Sequence, residues 1–224
     1  MLTRTNSPEA DRSAIDRAMM LHCIQLSATA AMRGEFPFAA LICDSDRIVV
    51  EATNQVAQRA DVTRHAELIA VSEAQRLLRR KDLSSCTLYS NVEPCAMCSF
   101  PIRETRIGRI VYAISSPFMG GLSKWNVLRD PEIADVMPEA FGPVPEVIAG
   151  LCASEAENVW RNWSPLAWAV IKHRGCFGGA ESTLGNYQHF PAVPARASLL
   201  RKLTMLWQNS ESTTVAATDR NSGY

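Results

Sequence analysis

An α/β sandwich with at least part of its sheet parallel is the fold class this sequence predicts. Three observations carry that expectation: helical apolar spacing near the N-terminus, two strand-like runs joined by a short polar turn, and a later alternation of buried strand-like runs with helix starts. A chain of 224 residues is long enough for one well-packed core and too short for two domains of ordinary size. One folded domain over residues 8–178 and a C-terminal extension over residues 179–224 are therefore expected.

Ser7-Pro8-Glu9 reads as an N-cap with proline at the first helical position, and Ile15, Met19, His22, Leu26 and Ala30 then repeat at helical spacing as far as Gly34. Phe38–Cys43 and Arg47–Ala52, separated by Asp44-Ser45-Asp46, read as a hairpin. A second helix is expected after Thr63, its N-cap, running to about Arg80. Cys86–Tyr89 is a short buried strand by composition, and Asn91-Val92-Glu93-Pro94 leads into another helix start with Pro94 in its first turn. Ile107–Ala113 is a further strand. The stretch from 114 to 145, rich in proline and glycine, predicts a long loop with short helical pieces. Val147–Leu151 closes the sheet and one last helix is expected over 153–173. Beyond about Gly178 the composition turns to Ser, Thr, Gly, Asn and Pro, with room for a brief helix at Leu199–Leu203.

Charge and composition weigh against several classes, a nucleic-acid partner among them without excluding it. Lys plus Arg total 23 and Asp plus Glu total 23, so no sequence-wide positive field draws a polyanion in by counterion release. No apolar run reaches the roughly 18 residues of a membrane span, and the first eight residues lack the apolar run of a secretory signal. A cytoplasmic protein without a membrane partner is expected. Seven cysteines, an odd number with one metal-type spacing among them, argue against a disulfide scaffold.

That one spacing is where the chemistry lies. Cys95 and Cys98 stand three apart at a helix start, so their sulfurs share a face and can converge on a metal, and the helix N-terminus favours their thiolates. His65 can supply a neutral nitrogen as third ligand, leaving the fourth tetrahedral position of a Zn2+ ion open for water. Glu67 follows His65 by two residues, close enough to sit beside the metal without binding it and to shuttle protons. A CxxC pair alone is as often structural or redox chemistry, and His-Ala-Glu alone says little. Together, in this order, they form the H-x-E and P-C-x-x-C combination of zinc deaminases.

On those two motifs, with Phe36-Pro37-Phe38-Ala39-Ala40, Asn54, Thr87-Leu88-Tyr89 and Arg106–Tyr112, the sequence over about residues 12 to 172 resembles the cytidine and deoxycytidylate deaminase superfamily. The likeness falls in the branch of bacterial tRNA adenosine deaminases and guanine deaminases. It implies a three-layer α/β/α sandwich around a five-stranded mixed sheet, usually a homodimer or larger homo-oligomer. It also implies that Asn54 hydrogen-bonds the substrate and that the backbone around Ala66 helps hold the base. Ala39 stands where the family usually has glycine, which predicts an added methyl group beside the base pocket. The segment 115–130, with Met119-Gly120-Gly121 and Trp125, departs from a typical tRNA deaminase and is the expected determinant of substrate choice.

The expected activity is hydrolytic deamination of a free nucleobase or nucleoside, with guanine or a related aminopurine the first candidate. Phe38 could stack on a purine there, or simply open a buried strand. A tRNA adenosine deaminase is the alternative, favoured by Arg106-Ile107-Gly108-Arg109 and disfavoured by the balanced charge. A non-catalytic zinc-stabilised interaction subunit is a third reading, and Glu67 counts against it. Cys23, Cys43 and Cys86 read as small core residues, His22 as a core histidine, Trp160, Trp163 and Trp168 as packing residues, and Arg79-Arg80-Lys81 as a solvated helix end.

Overall fold

The hairpin is the seed of the sheet. In the computed structural model, which describes residues 8–178, β1 (Ala39–Asp44) pairs antiparallel with β2 (Arg47–Thr53), and Ser45 turns between them at φ 54°. On its other edge β1 pairs antiparallel with β3 (Cys86–Val92). From there β3, β4 (Arg109–Ile114) and β5 (Glu146–Ala149) run parallel, giving a five-stranded mixed sheet in the order β2-β1-β3-β4-β5. The expected N-terminal helix, hairpin and strands are all present, and β3 extends three residues past Tyr89. The expected brief helix at Leu199–Leu203 and the rest of 179–224 lie outside the described residues.

Strand alternation makes two cores, one on each face. Ala39, Leu41 and Cys43 of β1 and Val111 and Ala113 of β4 face α1 (Pro8–Met32), α6 (Ala153–Trp163) and α7 (Pro165–His173). Ala40 and Ile42, with Ile110 and Tyr112, face α3 (Ala66–Leu78) and α4 (Ala96–Glu104). Helices thus cover both faces, as three layers require. Between them lie the short helices α2 (Val56–Arg59) and α5 (Glu132–Val136).

Several local expectations are corrected. The last helix is two: Ser164 before Pro165 is pushed into extended backbone (φ −158°, ψ 101°), and its Oγ caps Ala167 N of the next helix. Thr63 does not cap α3, because its N–H and hydroxyl are both bonded to Asp61 Oδ1, so the N-cap falls on His65. His22 is no core residue; its Nε2 meets Glu51 Oε1 at 2.7 Å on the surface. Ala39 turns its methyl into the core against α1, on the face of the sheet opposite α3, and so adds nothing beside His65. Cys23, Cys43 and Cys86 are buried as expected, and Trp160, Trp163 and Trp168 pack together on α6 and α7.

At the far end of the sheet, Asp16 of α1 meets Arg109 through two hydrogen bonds of 2.6 and 2.5 Å and accepts a third from Tyr89 OH at 2.7 Å. This buried pair ties α1 to β3 and β4. Burial would raise the Asp16 pKa, but the Arg109 and Tyr89 hydrogen bonds and the guanidinium charge outweigh it and hold the carboxyl below its ordinary value.

Candidate active site

The site forms where two helices begin. His65 is the N-cap of α3 with extended backbone (φ −69°, ψ 146°), and its side chain makes no cap bond, so the ring is free to turn away from the helix. Cys95 is the N-cap of α4 (φ −69°, ψ 170°), one residue past the end of the Glu93-Pro94 turn that follows β3. Pro94 therefore lies just before the N-cap, outside the first turn in which it was expected. Cys98 falls on the first turn of α4 and Glu67 on the first turn of α3, both buried. The partial positive charge of both helix ends is thus directed at one place, beyond the C-terminal ends of the parallel strands β3 and β4.

Three soft donors meet there. Cys95 Sγ lies 3.5 Å from Cys98 Sγ and 3.6 Å from His65 Nδ1, and Cys98 Sγ lies 3.5 Å from the same nitrogen. Tetrahedral zinc, with Zn–S near 2.3 Å and Zn–N near 2.1 Å, sets its ligand atoms about 3.6–3.8 Å apart. The three edges of the cluster fit that ion, and His65, Cys95 and Cys98 could hold it with one coordination position left over. Glu67 stands beside the cluster, with Oε2 3.7 Å from Cys98 Sγ and Oε1 accepting from Ser90 Oγ at 3.2 Å. Ser90 Oγ also lies 2.6 Å from Val92 O, so its single hydroxyl hydrogen is shared between the backbone carbonyl and the carboxylate.

The electrostatics follow from that crowding. The hydrogen bond from the Cys98 thiol, aided by His65 and opposed by burial, pulls Cys95 down to about 4. Cys98 is pushed well above the ordinary thiol range, because its proton is shared with Cys95 in a buried position near Glu67. His65 is raised by its hydrogen bond to Cys95. Glu67 is raised chiefly by burial, which favours its protonated form and makes it able to take a proton at the site.

Around this centre the other expected residues sort themselves. Ala66 is fully buried at the first position of α3, where backbone N–H groups have no intrahelical acceptor and can face a ligand. Asn54 is buried one residue past the end of β2, its N–H bonded to Phe38 O, while the next residue, Gln55, donates to Arg64 O beside His65. Phe38 packs edge-on against Trp160 at 4.9 Å and Phe177 at 6.3 Å, within the core on the α1 and α6 face. That packing accounts for Phe38 as a strand-opening core residue and gives no support to a stacking role. Trp125 is 58% exposed on the loop after β4, with its backbone N–H on Gly120 O.

Two carboxylates that sequence spacing did not single out organise the surroundings. Glu93 is buried and accepts from Ser116 N, Leu122 N, Ser123 N and Ser123 Oγ at 2.7–3.0 Å. The loop so gathered is also bonded to the cysteine turn, through Ala96 N to Met119 O and Gly121 N to Pro94 O. A Cβ on Gly120 would lie 2.1 Å from Glu93 Oε1, and one on Gly121 1.8 Å from Ser99 Oγ, so both positions need glycine for close approach. The second carboxylate is Glu35, 1% exposed and bonded to Asn54. The only sequence sign of either is an acidic residue beside an apolar or motif-bearing stretch.

A thiolate-imidazole trio open at one position, with a buried carboxylate beside it at paired helix N-termini, defines a hydrolytic zinc site that acts on a polarised C–N bond. A family model described as the cytidine and deoxycytidylate deaminase zinc-binding region matches residues 13–114. The chain is 39% identical over 168 residues to a probable cytosine deaminase of Schizosaccharomyces pombe, covering 73% of this chain and 93% of the relative. It is 35% identical over 115 residues to the tRNA-specific adenosine deaminase of Aquifex aeolicus, covering 51% and 76%. Some curated relatives are longer proteins matched only in part, such as the tRNA(Ile)-lysidine synthase of Deinococcus radiodurans, of which 24% is covered. A solved guanine deaminase from Nitrosomonas europaea shares the fold at a TM-score of 0.52 and 23% identity, over 66% of this chain and 83% of that one. The chain belongs to the cytidine and deoxycytidylate deaminase family. It is a zinc-dependent hydrolytic deaminase.

Proposed function

We propose that this deaminase acts on a free nucleobase, with cytosine and guanine as the bases to test first. The observation that carries this reading is the loop over 116–123, pinned by Glu93 and by main-chain bonds to the turn that holds Cys95. A mouth rigidly built from the chain itself suits a small planar ligand. The balanced charge of 23 cationic and 23 anionic residues offers no general attraction for RNA. Cytosine is supported by the similarity that spans 93% of the S. pombe protein. Guanine is the first candidate that the sequence resemblance implies; the likeness to solved guanine deaminases adds only the fold.

In this reading His65, Cys95 and Cys98 would hold zinc, which when bound would supply a positive charge that makes water easier to deprotonate near neutral pH. Glu67 takes one proton from the attacking water and delivers it to the ring nitrogen beside the attacked carbon. It then carries the water's second proton to the amine, which leaves as ammonia while the oxygen stays as the carbonyl. Ala66 N–H and Asn54 hold the base, and Trp125 on the outer loop borders the entrance. The exposed Met97 and Phe100 of α4, with Met119, offer an apolar face for a homodimer.

A second reading, a tRNA adenosine deaminase, is favoured by the Aquifex similarity. Ammonia release from cytosine, guanine, guanosine, adenosine and a tRNA anticodon stem-loop, each at low and high salt, separates the two. Turnover of a free base with weak salt dependence is expected. Activity confined to the RNA and falling steeply with salt would overturn the proposal.

A further inference from the structure

Glu35 is a buried carboxylate whose hydrogen-bond partners are all amides. After α1 the chain turns at Gly34 (φ 82°) and carries Glu35 inward to 1% exposure. Its Oε1 accepts from Gln58 N at 2.7 Å, and its Oε2 accepts from Asn54 Nδ2 at 2.8 Å and Ala57 N at 3.2 Å. The two backbone bonds cap the start of α2, where the N-cap residue Gln55 makes no side-chain bond. The third bond has a different consequence.

An ionised carboxylate only accepts hydrogen bonds, so the end of the Asn54 amide that faces Glu35 must be the NH2 group. The amide cannot flip without setting oxygen against oxygen in a buried place, at the cost of a charge-assisted bond. Its Oδ1 is therefore fixed in direction. No protein donor to that oxygen is found among the described residues, and it is not one of the fully enclosed atoms left without a partner, so it is open to a ligand, as is the second Nδ2–H. Asn54 and Gln55 are also tied in place, through Phe38 O and Arg64 O, next to the zinc-cluster residue His65.

We propose that Glu35 is a positioning residue that sets substrate orientation through Asn54: by holding Nδ2 it presents Oδ1 as a fixed acceptor, which selects a base carrying a ring N–H. This rests on the reading of Asn54 as a base contact. Cytosine and guanine carry such a ring N–H. In cytidine and adenosine the only base N–H groups belong to the amine that leaves. Guanosine keeps the ring N1–H of guanine, so the arrangement favours cytosine, guanine and guanosine over cytidine and adenosine.

The test is a double-mutant cycle on kcat/KM for cytosine and guanine, with zinc content measured on every sample: wild type, Glu35→Gln, Asn54→Ala and the double variant. Glu35→Gln is expected to lower kcat/KM about tenfold or more with zinc retained, and to change it less than about threefold once Asn54 is alanine. Losses that multiply in full would overturn the link while leaving Asn54 as a base contact. An unchanged Asn54→Ala enzyme would overturn the Asn54 reading and the proposal with it. A substrate-free measurement covers a variant that does not fold or a wild type that turns over neither base. In 15N-labelled wild-type protein the Asn54 side-chain amide is expected to show one slowly exchanging proton; exchange as fast as that of a surface asparagine would overturn the proposal.

Discussion

At the residue scale, one carboxylate separates a metal site from an enzyme. His65, Cys95 and Cys98 alone would make a structural cluster, and Glu67 adds the means of moving protons from a buried position 3.7 Å from Cys98 Sγ. Glu67→Gln keeps the shape and removes the basic oxygen. It is expected to leave zinc bound while lowering turnover by about 10²–10⁴-fold, the usual contribution of a positioned general acid-base group. Metal analysis and ammonia release on one sample check this; substantial turnover, or loss of zinc, would remove Glu67 from the role. The four residues of this centre were legible in the sequence because their spacing is local: two cysteines on one helical turn, and a glutamate two residues past a histidine. Glu35 and Glu93 were not. Their donors lie 19 to 30 residues further along the chain, so only the folded backbone shows what they hold.

At the element scale, the loop after β4 is attached to the cysteine turn as one piece. Gly121 is where that attachment is tightest, with no room for a methyl group against Ser99 Oγ. Gly121→Ala must lift the loop or displace Ser99, an overpacking cost of about 1–3 kcal/mol. Catalytic efficiency toward a small base is expected to fall by about tenfold or more while the centre still binds zinc, since none of its ligands is touched. Full efficiency in this variant would show that the loop does not shape the mouth. Element identity was readable wherever periodicity and turn chemistry agreed, as in α1, the β1-β2 hairpin and β4. Where they disagreed, local chemistry won. The apolar pattern runs straight through Ser164-Pro165, yet the residue before proline cannot stay helical, and one expected helix became two. The short helices α2 and α5 lacked enough residues to show a period at all.

At the scale of the whole molecule, two devices hold the layers around the site. The first is the Asp16–Arg109 pair, which joins α1 to the sheet at the end remote from His65. Because the folded protein holds the Asp16 carboxyl below its ordinary value, its contribution to stability is complete above the unfolded aspartate pKa of about 3.9 and is lost as pH falls through the lower folded-state value. Asp16→Asn takes the buried carboxylate from Arg109 and leaves it only the half-exposed Glu146, 3.3 Å from its Nε. A loss of about 3–5 kcal/mol is expected at neutral pH, with a shallower decline of Tm in acid than in wild type. An unchanged acid profile would contradict that account. The second is the His65, Cys95 and Cys98 cluster, through which a bound zinc would join the starts of α3 and α4 and couple folding to metal binding. Zinc removal and return is the measurement that bears most directly on the central claim. Purified protein is assayed for ammonia release from cytosine and guanine, and for Tm, as zinc-loaded, chelated and reloaded samples. The account predicts turnover with zinc, loss of turnover and a lower Tm on chelation, and recovery of both on reloading. Equal activity in the chelated protein, or no ammonia from either base when one zinc is bound per chain, would contradict it.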